Sequence, residues 1–151
     1  MFVKRAYLFD EMQPEFRDRL FRLGEECTFE EGDYVFRRGD VAQSLYILEK
    51  GRVRIAVGET GTVAKTVRSP GDLFGWSSLL GPGSYTASAQ CLTRTTVVKL
   101  KGNSMNQLLE EQPAEGLAFY RRLAAFLRER LMDSYRALLT YDSEKKPHSY
   151  G

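Results

Sequence analysis

Between residues 27 and 101, apolar and polar positions alternate with a period of two. Val53, Ile55 and Val57 alternate with Arg52, Arg54 and Ala56, and Thr95, Val97 and Lys99 alternate with Thr96, Val98 and Leu100. Alternation of this kind predicts strands with one buried and one solvated face. Turn signals stand at Glu31-Gly32, Gly39-Asp40, Lys50-Gly51, Gly58-Glu59-Thr60-Gly61, Pro70-Gly71, Gly81-Pro82-Gly83 and Lys101-Gly102-Asn103, mostly 7–12 residues apart. That is the rhythm of a multi-stranded sandwich or barrel. The zone predicts an antiparallel, jelly-roll-like β-roll of about eight short strands.

Both flanks switch to helical spacing. Residues 1–24 place Phe9, Met12, Phe16, Leu20, Phe21 and Leu23 among charges, with Pro14 suited to a first helical turn. One or two short helices ending at Gly24 are expected. On the other side Ser104 is expected to cap Met105–Glu110, and Pro113 to open a long last helix. In that helix Leu117, Tyr120, Ala124, Leu127, Leu131, Ser134 and Leu138 follow alternating spacings of three and four, an a/d seam over about three heptads. Phe119, Leu123 and Phe126 form a second apolar flank. The flank is expected to pack on the roll while the seam pairs with a second copy, making a homodimer. Packing of the whole helix on its own roll is the alternative. The fold class is thus mainly β with flanking α: one domain over residues 1–140, with N-terminal helices in 1–24, the roll in 27–101 and C-terminal helices in 104–139. A polar, flexible tail is expected over 141–151.

Composition narrows the function. The chain has 151 residues, with 22 Lys and Arg against 20 Asp and Glu, and needs neither disulfides nor metal to fold at that length. A net charge of +2 is too small for a protein that coats a polyanion. The longest apolar run, Leu123–Leu127, has five residues, whereas a membrane span needs about 20. Asp10 and Glu11 interrupt the N-terminal segment before a signal-peptide core could form, so no export and a cytoplasmic location are expected. Cys27 and Cys91 show no paired spacing and are expected to be small buried hydrophobes. His148 is the only histidine and lies in the polar tail. Histidine metal clusters, Ser-His-Asp triads and Cys-His dyads all need an imidazole held by the fold, so no enzyme activity, catalytic residue or metal site is expected. A cupin-type enzyme on a similar roll is disfavoured on the same ground.

The segment Ser69–Ala89 breaks the strand rhythm. Pro70-Gly71 leads into Phe74-Gly75, then a stretch too short for a full helix, then a Gly/Pro turn and a strand. A helical turn between strands presents free backbone amides to anions, and Gly75 lets a ligand approach the backbone. In this setting the runs Phe29-Glu30-Glu31-Gly32-Asp33, Arg38-Gly39-Asp40, Tyr46-Ile47-Leu48-Glu49-Lys50-Gly51-Arg52-Val53-Arg54 and Gly71-Asp72-Leu73-Phe74-Gly75 resemble the cyclic nucleotide-binding domain. The likeness is closest to bacterial catabolite-activator-type sensors and covers about residues 8–138. It implies a β-roll with N-terminal helices and a long C-terminal helix, and makes Phe74 to Ala87 a phosphate-binding cassette. The ligand-site residues it implies are Phe74, Gly75, Trp76, Ser77 and Ser78 at the helical turn and Tyr85, Thr86 and Ala87 before the strand.

The departures decide what the resemblance implies for ligand. The family's cassette places Glu after Phe-Gly for the ribose 2′-hydroxyl and Arg before a small-residue pair for the cyclic phosphate. Here Trp76 and Tyr85 stand at those positions, with the spacing kept. An Arg–phosphate contact contributes roughly 1.5–3 kcal/mol, and its loss alone costs roughly one to two decades of affinity. Tight binding of cAMP or cGMP is therefore not expected. Trp76 and Tyr85 either fill the vacated pocket or wall one for a less charged or planar ligand. Haem, used by relatives of the family, would have only Cys27 or Cys91 as ligands, and no cofactor is expected. The expected role is a bacterial, non-catalytic regulatory or sensor module in signal transduction. The alternatives are a true cyclic nucleotide binder and a ligand-free scaffold for a partner protein. The basic residues of the last helix, Arg121, Arg122, Arg128, Arg130 and Arg136, read as snorkelling side chains. The ten residues after Tyr141 are too few for a helix-turn-helix module, so no direct DNA contact is expected from this chain.

Overall fold

The computed structural model describes residue 9 and residues 12–58, 64–80 and 83–145, with residue 64 and residues 141–145 described by backbone alone. Helix α1 (Pro14–Leu23) starts with Pro14 in its first turn and ends at Gly24, as the spacing predicts. Eight strands follow among the described residues: β1 (Glu25–Phe29), β2 (Tyr34–Phe36), β3 (Ser44–Lys50), β4 (Val53–Ala56), β5 (Ala64–Val67), β6 (Leu73–Phe74), β7 (Ser88–Cys91) and β8 (Thr95–Lys101). They pair antiparallel in two four-stranded sheets, ordered β1-β8-β3-β6 and β2-β7-β4-β5. Helices α2 (Gly102–Glu111) and α3 (Pro113–Lys145) complete the described chain.

Strand β3 shows how the layers are specified. Its alternate residues Tyr46 and Leu48 point into the roll, where Phe36, Val53, Val67, Phe74, Tyr85, Ala89, Cys91 and Val97 form one core. Leu45 and Ile47 point the other way, into a second core built with Phe16 and Leu20 of α1, Met105, Leu108 and Leu109 of α2, and Phe119 and Leu123 of α3. Both faces of β3 are buried from Ser44 to Leu48. Where one wet face was expected, β8 buries residues on both: Val97 lies in the roll, and Val98 and Leu100 lie beneath the helices. Each buried aliphatic or aromatic side chain gains about 1.5–3 kcal/mol from leaving water, so the three helices are held by the sheet rather than by their own propensity.

Other expectations need adjusting. Ser104 lies inside α2, which starts at Gly102 after Lys101 and has no side-chain cap. Helix α3 continues to Lys145, six residues past the expected end at 139 and into the segment expected to be a tail. Residues 146–151, most of the N-terminal segment before Met12, the turn residues Glu59, Thr60 and Gly61, and Gly81-Pro82 lie outside the described residues. Cys91 is buried as expected, but Cys27 is only half-buried, and both are free thiols. The expected seam divides. Tyr120 and Leu127 pack against the chain's own core, while Leu117, Ala124, Leu131, Ser134 and Leu138 stay exposed. The flank Phe119, Leu123 and Phe126 packs on the roll as expected. Among the described residues no helix is long and apolar enough to cross a membrane.

Candidate functional site

The cassette is placed by the turn before it. The Asp72 carboxylate accepts from the Ser69 amide at 3.3 Å, and backbone bonds Gly71 to Leu48 (2.8 Å) and Leu48 to Asp72 (2.9 Å) fix the turn against β3. Strand β6 then pairs Leu73 with Ile47 and Phe74 with Tyr46. Gly75 turns the chain with φ of 80°, in the left-handed region. A Cβ there would lie 3.2 Å from the Ser44 carbonyl oxygen and 3.3 Å from the Phe36 ring. Position 75 therefore needs glycine for both conformation and space.

Trp76–Leu79 form one 3₁₀ turn. The Ser78 hydroxyl donates to the Gly75 carbonyl at 3.1 Å, so the turn satisfies part of its own backbone. Its far end is tied to both C-terminal helices. The Asn106 side-chain amide donates to the Leu79 carbonyl at 3.0 Å, and the Tyr120 hydroxyl donates to Asn106 Oδ1 at 2.7 Å. Gly102 packs so closely on the Ser78 carbonyl that any side chain there would force α2 off the cassette.

The eight expected site residues occupy different environments. Phe74, Ser78 and Tyr85 are buried, Gly75, Trp76, Ser77 and Ala87 are half-buried, and Thr86 is exposed. Tyr85 is held by backbone bonds in both directions with the Gly39-Asp40 turn, each 2.9 Å. Its ring stacks on Phe36 with centroids 3.8 Å apart and planes 12° apart, and Tyr46 stacks on Phe74 at 5.4 Å. Its hydroxyl accepts from the Ser44 amide at 3.2 Å and donates to the Ser44 carbonyl at 2.5 Å. Burial raises the Tyr85 phenol above its ordinary pKa against the opposing hydrogen bonds. Burial first, and then the Tyr85 hydroxyl, push the Tyr46 phenol up as well. Both stay neutral at physiological pH. Tyr85 is therefore an uncharged side chain spent on the roll interior.

Trp76 points elsewhere, to α3. Its ring meets Phe126 edge-on at 5.9 Å and 78°, and the Arg130 guanidinium lies 5.7 Å from the Trp76 centroid and 4.9 Å from that of Phe126. Burial lowers the Arg130 pKa, opposed by the charges of Asp72 and Asp133. Asp133 in turn bonds Lys65 of β5 at 2.7 Å, and Lys65 holds its carboxyl below the ordinary value. Trp76 and Tyr85 are thus not brought together as two walls of one aromatic pocket. One joins the cassette to the last helix and the other seals it to β3.

Arg130 was not singled out from the other basic residues by the sequence reading. Its spacing of four from Phe126 puts the two on one helix face, which is the signal that could have found it. Ser44 carried no such signal, because its backbone rather than its side chain meets Tyr85. A cleft of about 650 Å³ opens on the other side of the turn, bordered by Ser44 and Ser78 but by neither Trp76 nor Tyr85. Among the described residues no group of three or more His, Cys, Asp or Glu is placed to hold a metal.

Comparison with known proteins agrees with the fold. Residues 26–112 match the family model described as the cyclic nucleotide-binding domain. The chain is 30% identical over 134 residues to the cyclic AMP receptor protein of Thermus thermophilus, an alignment spanning 87% of this chain and 60% of that protein. The crystal structure of Thermus thermophilus catabolite activator protein superposes with a TM-score of 0.70 at 29% identity, covering 89% of this chain and 62% of that one. The N-terminal domain of a transcriptional regulator from Streptomyces coelicolor superposes at 0.68 with 27% identity, covering 86% and 94%.

Proposed function

Since this chain belongs to the cyclic nucleotide-binding domain family, we propose that it is a non-catalytic, bacterial regulatory module of the cytoplasm whose cassette is held shut by its own aromatic residues. The observation that carries this reading is Tyr85, stacked on Phe36 and bonded to both backbone groups of Ser44. A cyclic nucleotide seated as in the family would meet a phenol where the phosphate needs a cation. The missing charge-assisted contact is worth roughly 1.5–3 kcal/mol. Swinging Tyr85 aside would leave the Ser44 groups unpaired at a cost of roughly 1–3 kcal/mol more. Together these remove about two to four decades of affinity, placing cAMP and cGMP binding in the millimolar range or weaker.

The output side of the proposal is α3, as a homodimer helix. Leu117, Ala124, Leu131 and Leu138 repeat every seven residues along its exposed face, with Met132, Tyr135 and Leu139 beside them. A seven-residue apolar repeat left open by the chain's own roll suits a second copy of the same helix. Trp76 and Arg130 would then connect the cassette to that interface. The chain spans 60% of the length of the receptor protein it matches, and the activities of that longer protein are not carried over.

A second reading, a true cyclic nucleotide sensor, is favoured by one observation: the matched relative is named a cyclic AMP receptor protein. A titration separates the two. Trp76 is the only tryptophan, so its fluorescence reports on the cassette alone. The closed-cassette reading expects no saturable change with cAMP or cGMP below millimolar concentration, and no heat of binding by calorimetry. Saturable micromolar binding would overturn it in favour of the sensor.

A further inference from the structure

The cleft on the far side of the cassette turn carries an assignment of its own. It has a volume of about 650 Å³ and is bordered by Gln43, Ser44, Lys99, Lys101, Asn103 and Asn106, among others. Antiparallel register puts Lys101 opposite Ser44 and Lys99 opposite Tyr46. Directly opposed residues share a face, and so do residues two apart on one strand. Both lysines therefore stand on the face of the sheet that carries Ser44, with their Cα atoms about 7 Å apart along β8.

No lining residue of the cleft is acidic. Glu25, opposite Lys99 on β1, makes no ion pair with it among the described residues, and neither lysine has an ion-pair partner there. Two cations beside one concave surface with no acidic residue in its lining give that surface a positive field.

Ser44 points to a ligand independently. The residue is only 3% exposed, and its amide and carbonyl are both taken by Tyr85. Its hydroxyl has no hydrogen-bond partner among the described residues, yet no buried side-chain polar atom there is sealed without one. The hydroxyl therefore keeps some solvent exposure, and Ser44 lines the cleft. The start of α2 completes the surface. Gly102 donates its amide to the Gln43 carbonyl at 2.9 Å, which brings the uncapped first turn of α2 to the rim. Asn103 and Ser104 follow with first-turn amides free of intrahelical acceptors.

We propose that this cleft binds a small phosphate-bearing molecule, with Lys99 and Lys101 supplying charge, Ser44 and Asn103 supplying hydrogen bonds, and the first turn of α2 receiving the phosphate oxygens. The volume lies within the range of small-molecule sites and exceeds what a bare phosphate fills. Asn106 is fixed in place by its bonds to Leu79 and Tyr120, so it forms a rigid wall of the cleft. Neither Trp76 nor Tyr85 borders the cleft, so the assignment stands apart from the closed-cassette reading.

The test is a titration of the ¹⁵N-labelled full chain with inorganic phosphate and with pyrophosphate at constant ionic strength, followed by amide shifts. Saturable shifts are expected at Ser44, Asn103 and Ser104, with Gly75–Ser77 unmoved and pyrophosphate binding more tightly than phosphate. K99Q/K101Q should weaken binding at least about tenfold, the loss of roughly 1.4 kcal/mol, with an unchanged circular dichroism spectrum. Ser44→Ala should weaken it severalfold while keeping the Tyr85 contacts, which are to backbone. Shifts that fail to saturate by concentrations on the order of 50 mM overturn the proposal. So do shifts that persist in K99Q/K101Q, or that centre on the arginines of α3.

Discussion

The Tyr85 hydroxyl clasps the Ser44 backbone from both sides, accepting from its amide at 3.2 Å and donating to its carbonyl at 2.5 Å across 41 residues of sequence. The first residue of β3 thereby receives a partner for both backbone groups from the loop that follows the cassette turn. A phenol can do this because its oxygen both donates and accepts, whereas a guanidinium only donates. Tyr85 thereby ties the segment after the 3₁₀ turn to the sheet.

Tyr85→Phe should therefore destabilise the fold by about 1–3 kcal/mol, since the stacked ring remains while two buried backbone groups lose their partner. Urea unfolding of the two proteins, with equal slopes, measures it. A cost below about 0.5 kcal/mol would mean that water replaces the hydroxyl and that the clasp is not what closes the cassette.

Two opposing terms meet at Arg130. Its guanidinium gains from lying over Trp76 and Phe126, by about 1–2 kcal/mol, but it is desolvated where it lies. Replacing a buried charge by a well-packed apolar side chain is often neutral or stabilising, so Arg130→Met should change stability by less than about 1 kcal/mol. Trp76→Ala removes the ring itself and should cost about 2–3 kcal/mol, below the 3–5 typical of a fully buried aromatic because Trp76 is half-exposed. Amide exchange in α3 around Phe126 and Arg130 should quicken in Trp76→Ala and not in Arg130→Met. Equal protection in all three proteins would show that Trp76 does not hold α3.

How much of this could be read from the chain depended on whether the partner lay on the same element. The strand alternation at Val53 and Ile55 and the glycine at 75 were legible, because a period of two and a left-handed turn are local properties, whereas Val57 lies beyond β4 and is exposed. What Tyr85 does was not legible. Tyr85 is satisfied by the backbone of a residue 41 positions away, and backbone groups are identical in every sequence. The wet face expected of β8 failed because alternation of Thr, Val and Lys cannot distinguish solvent from a covering helix. The seam of α3 misled in part, since a spacing of three and four serves equally to pack Tyr120 and Leu127 on the roll and to expose Leu131 and Leu138.

The exposed half of that seam predicts association. Size-exclusion with light scattering should give about twice the chain mass of 17.2 kDa, and Leu131→Asp with Leu138→Asp should return it to one chain. Both leucines are at least half exposed, so the double variant should keep its fold and its circular dichroism spectrum. A wild-type protein that runs as a single chain at tens of micromolar would remove the dimer, and with it the seven-residue repeat as an interface.

The aromatic core also fixes how stability responds to alkali. Burial raises the phenol pKa of both Tyr46 and Tyr85 above the ordinary value of 10.0, so the folded state favours their neutral forms. A group raised in this way contributes its stability in full below the unfolded value, and loses it as pH climbs through 10 toward the folded value, because the unfolded chain releases its proton first. Stability should therefore be flat through neutrality and fall above about pH 10, by up to about 1.4 kcal/mol per pH unit for each phenol held neutral. Tyr85→Phe removes one of the two. It should start less stable at neutral pH, for want of the Ser44 clasp, and then decline with a shallower slope than the wild type above about pH 10, so that the two curves converge. Urea midpoints taken at about pH 8, 10 and 11 test the convergence. Parallel curves would mean that Tyr85 ionises as readily in the folded chain as in the unfolded one, which a ring stacked on Phe36 and bonded to the Ser44 carbonyl does not allow.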